Sequence, residues 1–140
     1  MTYDESPVER TMSLDSAVPL AESAPAAPSG QDEAAIQALG PDHALLIVHH
    51  GPNLGARFLL DVDVTTAGRS VKSDIFLDDV TVSREHAQFV RDGHDFFVRD
   101  QGSLNGTYVN RENVSERKLA AGDEVQIGKY RLTFHPGTQA

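Results

Sequence analysis

The sequence contains no cysteine, which leaves no disulfide framework, no thiolate metal site and no cysteine nucleophile. It also lacks an apolar run of the roughly 18 residues that a membrane-spanning helix needs. The opening residues, MTYDESPVER, carry acids where a signal peptide would carry bases followed by an apolar stretch. The expectation is a cytoplasmic protein with no membrane partner. Bases are scarce at the start: residues 1–42 hold 8 acids against the single Arg10, whereas residues 43–140 hold 13 acids and 11 bases. Most of the net charge of −9 therefore sits in the leading segment. A chain this acidic is repelled by a phosphate backbone, which argues against nucleic acid as a partner.

What is present divides the chain in two. In AVPLAESAPAAPSG, Ala17 to Gly30, 11 of 14 residues are Ala, Pro, Ser or Gly, a composition that buries too little apolar surface to offset the entropy of ordering. DEAAIQAL, Asp32 to Leu39, has the makings of one or two helical turns before Gly40-Pro41 ends it. Beyond Pro41 the texture changes to short apolar or alternating runs: ALLIVHH, ARFLLDV, VTTAGR, DIFLDD, HAQFVRD, HDFFVRD, TYVNREN, RKLAAGDEVQIG and YRLTFHP. Turn signals such as Gly51-Pro52-Asn53, Asp92-Gly93 and Asn105-Gly106 separate them. The pattern predicts an all-β sandwich of about ten or eleven short strands over residues 43–136. Residues 1–42 are then a disordered acidic tail and linker, and residues 137–140 a short C-terminal tail.

Three polar clusters fall between the runs: Gly68-Arg69, then Ser83-Arg84-x-His86, then Ser103-x-Asn105-Gly106-Thr107. Loops gather at the ends of a β-sandwich, so clusters distant in sequence can meet there. Two arginine forks, a serine hydroxyl and an asparagine amide together make a pocket of hydrogen-bond donors suited to a phosphate dianion. A competing reading makes Ser83 a nucleophile and His86 its base, with Asp100 as the orienting acid. No G-x-S-x-G elbow accompanies them, and an architectural role for His86, tying the loop backbone, accounts for it without catalysis. His43, His49, His50, His94 and His135 lack metal-ligand spacing and read as surface or strand residues.

The order G-R, S-R-x-H and S-x-N-G-T on an all-β pattern resembles the forkhead-associated (FHA) domain, and the resemblance spans about residues 43–136. It implies a non-enzymatic β-sandwich that binds phosphothreonine peptides through loops at one end, without a cofactor. Arg69 and Ser83 match the family's phosphate-binding residues, Arg84 a variable position able to add a contact, and Asn105 the asparagine that holds the peptide main chain. Leu104 occupies the position where some members of the family place a threonine or another residue near the phosphate. Gly68, His86, Gly106 and Thr107 match positions that shape the loops. The family's preference for threonine over serine is attributed to a pocket for the γ-methyl. One buried methyl contributes only about 0.8 kcal/mol, so rotamer restriction at χ1 must supply the remainder of a larger preference.

More narrowly, the chain is similar to the small actinobacterial FHA regulators of the GarA/OdhI type. That likeness implies a monomeric switch which, when unphosphorylated, binds 2-oxoglutarate dehydrogenase, glutamate dehydrogenase and glutamate synthase. A Ser/Thr protein kinase then phosphorylates a tail threonine, which occupies the protein's own FHA pocket. The family's V-E-T-T-S type motif appears here as VERTM, residues 8–12, with Thr11 at the second threonine, Arg10 in place of the first and Met12 in place of the serine. A flexible linker of about 31 residues has an r.m.s. span of roughly 30 Å, enough to reach around a domain of about 13 Å radius of gyration. Tethering at an effective concentration of order mM, against a dissociation constant of order 1 μM, favours the closed form about 10³-fold. The alternatives are an adaptor that docks onto kinases or their substrates without self-inhibition and, more remotely, the Ser-His hydrolase.

Overall fold

Alternation along each strand decides which side chains enter the core. In DFFVRD, residues 95–100, Phe96 and Val98 are buried while Phe97 and Arg99 face outward, and in AQFVRD, residues 87–92, Ala87 and Phe89 are buried. The computed structural model describes residues 30–137, and in it such strands assemble into two sheets. The strands are β1 (Ala44–His50), β2 (Arg57–Leu60), β3 (Val64–Gly68), β4 (Ile75–Phe76), β5 (Ala87–Asp92), β6 (Asp95–Asp100), β7 (Thr107–Val109), β8 (Glu112–Val114), β9 (Glu116–Lys118), β10 (Glu124–Ile127) and β11 (Tyr130–Pro136). One sheet has the order β9-β6-β5-β3-β4, the other β2-β1-β11-β10-β7-β8. All pairings are antiparallel except β3 with β4.

The inner faces meet in one core that includes Leu46, Val48, Phe89, Phe96, Val98, Val125, Ile127, Leu132 and Phe134. Phe96 and Phe134 tilt against each other across it, their ring centroids 5.7 Å apart. This is the expected all-β sandwich, with eleven strands among the described residues.

Two of the nine apolar runs each yield two strands. TYVNREN folds back on itself at Asn110 and Arg111, whose φ angles of 51° and 72° are those of a two-residue hairpin turn. Arginine at such a position is uncommon, and no glycine marks the reversal. RKLAAGDEVQIG crosses between sheets: β9 pairs with β6, and β10 pairs with β11.

The order begins ahead of residue 43. Helix α1 (Gly30–Gln37) has Asp32 and Glu33 in its first turn, where the helix dipole favours acids. Eight residues are too few for a stable isolated helix. It is held by the sheet: Ala35, Ile36 and Leu39 pack on Leu45 and Ile47, the outward side chains of β1, and Asp32 pairs with Arg57 at 3.5 Å. The helix starts and stops two residues earlier than the sequence suggests, and residues 30–42 form part of the packed structure rather than of a disordered leader. Thr11 and residues 138–140 lie outside the described residues.

Candidate functional site

Three loops project from one end of the sandwich: 69–74 after β3, 77–86 between β4 and β5, and 101–106 between β6 and β7. Gly68 ends β3 with its carbonyl bonded to the Leu77 N–H at 2.9 Å. A β-carbon there would collide with the Arg84 carbonyl, so only glycine lets the first two loops touch. The Arg69 N–H then donates to the Ser83 carbonyl at 2.9 Å, and the Ser70 N–H to the Arg84 carbonyl at 3.2 Å. Arg69 Nε donates to the Val82 carbonyl at 3.1 Å. That bond fixes the plane of the guanidinium and leaves its two Nη groups for a ligand.

His86 joins the second loop to the third. It is fully buried; Nδ1 accepts from the Ser83 N–H at 3.0 Å, and Nε2 lies 2.8 Å from the Gly106 carbonyl. A backbone N–H on one side and a carbonyl on the other require the neutral tautomer with its proton on Nε2. Gly106 has φ of +84°, and a β-carbon there would come within 2.6 Å of Asn113 Nδ2. Ser83 Oγ accepts from the Leu104 N–H at 3.0 Å, so its own hydroxyl proton is free to donate. Leu104 contributes that N–H, while its side chain is 89% exposed. Asn105 Nδ2 donates to the Thr81 carbonyl at 2.9 Å. The Arg84 side chain is exposed.

The Ser-His-Asp arrangement weighed from the sequence is absent from this geometry. His86 turns toward the backbone of Ser83, not its hydroxyl, and both ring nitrogens are engaged. Asp100 serves the third loop instead: its oxygens accept from Ser103 Oγ, Thr107 Oγ1, and the N–H groups of Gly102 and Ser103. Burial pushes the Asp100 carboxyl up, but those four hydrogen bonds outweigh it and hold the group below the usual carboxylate range.

A further cluster had no place in the sequence reading. Asp79 accepts from the Thr81 N–H at 2.9 Å and from Thr81 Oγ1, and lies 3.4 Å from Lys129 Nζ. The Thr81 side-chain and backbone bonds, with Lys129, lower its pKa. The spacing Asp79-x-Thr81 is a recognisable Asx-turn signal; the approach of Lys129, 48 residues later, has none.

Among the described residues no three His, Asp or Glu side chains are placed to hold a metal, and no helix is long and apolar enough to cross a membrane. Residues 65–128 match the FHA domain family model. A wider likeness decides the matter: over 138 residues the chain is 55% identical to the glycogen accumulation regulator GarA of Mycobacterium tuberculosis, a match covering 97% of this chain and 85% of that protein. The chain belongs to the GarA-type FHA regulators. The oxoglutarate dehydrogenase inhibitor of Corynebacterium jeikeium is 58% identical over 106 residues, 76% of this chain and 74% of that protein. A structure from an analysis of phosphothreonine-dependent FHA domain interactions superposes with a TM-score of 0.64 at 28% identity, covering 69% of this chain and 98% of its own. This is a regulatory FHA protein.

Proposed function

We propose that this FHA regulator binds phosphothreonine through Arg69, Ser83, Arg84 and Asn105, and acts by docking rather than by catalysis. The observation that carries this reading is the pairing of Arg69 with Ser83. Each is fixed by a backbone bond that leaves its remaining protons unused, and a phosphate dianion brings acceptor oxygens for them. Unphosphorylated threonine offers these donors almost nothing.

The names of the relatives extend the proposal to metabolism. In its unphosphorylated form the protein grips 2-oxoglutarate dehydrogenase, the enzyme named in the corynebacterial relative, and, on the sequence resemblance alone, glutamate dehydrogenase and glutamate synthase, as a cytoplasmic monomer. A Ser/Thr kinase then phosphorylates Thr11, the tail occupies the pocket, and regulation ends.

Heteronuclear NMR of the full chain before and after kinase treatment tests this, with mass spectrometry locating the phosphate. Shifts at Arg69, Ser83 and Asn105 that vanish in Thr11→Ala, together with relief of oxoglutarate dehydrogenase inhibition, are the expected result. Unmoved signals would reject the switch and leave an adaptor for phosphorylated kinases or their substrates. Arg69→Ala should weaken phosphopeptide binding at least 100-fold; retention of full affinity would reject the pocket.

A further inference from the structure

Thr81 stands where three loops meet. Its carbonyl accepts from Asn105 Nδ2 at 2.9 Å, and its hydroxyl donates to Asp79 while accepting from the Lys129 N–H at 2.9 Å. Lys129 Nζ closes the ring on Asp79 at 3.4 Å. The neighbouring Gly128 is packed so closely that a β-carbon there would come within 2.5 Å of Thr81 Oγ1. One hydroxyl therefore pins the loop after β4 to the turn between β10 and β11, and so sets where the Thr81 carbonyl points.

That carbonyl determines what Asn105 can read. An asparagine amide has one acceptor and two donor protons. With one proton given to Thr81, one N–H and Oδ1 remain, the complement of the C=O and N–H of an extended peptide. The flipped amide would set Oδ1 against the Thr81 carbonyl, two acceptors in contact, and is excluded. Asn105 lines, with Tyr108 and Lys129, an open groove of about 300 Å³, which gives a peptide room beside the amide.

We infer that Thr81 is a positioning residue for peptide recognition. Held by Asp79 and Lys129, it fixes the orientation in which the Asn105 amide meets a ligand's main chain, and it contributes nothing to the phosphate contact. The inference rests on the reading of Asn105 as a main-chain contact.

Two probes separate these roles in the full chain: a peptide of residues 4–18 phosphorylated on Thr11, and isopropyl phosphate, which has the phosphate and a methyl but no peptide unit. Thr81→Val should weaken the peptide about tenfold and leave isopropyl phosphate within twofold. Thr81→Ser, which restores the hydroxyl, should return the peptide to within threefold of the parent. In an Asn105→Ala background Thr81→Val should cost nothing more, because a positioning residue acts only through the group it positions. Equal loss on both probes, or independent losses in the double variant, would overturn the inference. If Thr81→Val does not fold, Lys129→Met carries the same split, about threefold on the peptide alone; no loss on either probe would likewise overturn it. Failure of the parent protein to bind the peptide would instead reject the phosphothreonine reading on which it rests.

Discussion

At Gly68 a hydrogen stands where a larger residue would drive its β-carbon into the Arg84 carbonyl. Gly68→Ala should therefore part the first two loops and abolish phosphopeptide binding, with loss of 1–3 kcal/mol, about the range for overpacking, in urea denaturation. Ser83 and His86, three residues apart, should separate binding from folding. Ser83→Ala removes a half-buried hydroxyl and should cost affinity with little loss of stability. His86→Ala empties a buried site and strands the Ser83 N–H and the Gly106 carbonyl, a change of about 2–4 kcal/mol. Paired calorimetric titration and denaturation of both variants checks the contrast. The signature residues were legible because each bears its chemistry on its own side chain. Thr81 was not, because it acts through a carbonyl that every residue possesses, aimed by contacts that only the folded chain creates.

Legibility among the elements followed turn chemistry. ALLIVHH, with Gly40-Pro41 before it and Gly51-Pro52-Asn53 after it, gave the single strand β1. TYVNREN concealed a hairpin, since Asn110-Arg111 adopts left-handed geometry without a glycine. What holds Arg111 there is tertiary: its Nε lies 3.1 Å from Glu124 Oε1, on a nearly buried side chain. Glycine at 111 would relieve roughly 1 kcal/mol of backbone strain but remove one of the partners of Glu124, which also meets His49 at 3.0 Å; with Arg111 itself 45% exposed, that loss is about 1 kcal/mol. Arg111→Gly should thus leave the urea midpoint nearly unchanged, although turn preference alone says that it should rise. Helix α1 presents the opposite case, visible in sequence but not independently stable. Leu39→Ala should cost about 2 kcal/mol, measured by thermal unfolding, with the FHA loops unaffected because they lie at the far end of β1.

For the molecule as a whole, acid should act in two stages. Burial holds His49 and His135 below the ordinary imidazole value of 6.5, although Glu124 and Asp32 respectively pull the other way. The unfolded chain takes up these protons first, so their contribution to stability is full above about pH 6.5 and declines as the pH falls through the lower folded values. Asp79 and Asp100, held below 3.8, add stability that is complete above that value and is lost as the pH drops through their folded pKa values. Urea midpoints from pH 8 to pH 2.5 should show both declines, and His49→Gln with His135→Gln should remove the upper one. The sandwich was legible at this scale from alternation and turn spacing; the pairing of β9 with one sheet and β10 with the other was not, since local pattern does not say which sheet a strand joins. One consequence follows from the register of β1 and β11. Ala44 pairs with Pro136, and Gly137 donates to the His43 carbonyl at 2.8 Å, so the two ends of the sandwich leave side by side, opposite the recognition loops. Residues 43–137 are in effect a cartridge with adjacent terminals, which, with polar residues at Leu45 and Ile47 in place of their helix cover, could be spliced into a surface loop of a fluorescent host and still face outward to report phosphorylated threonine.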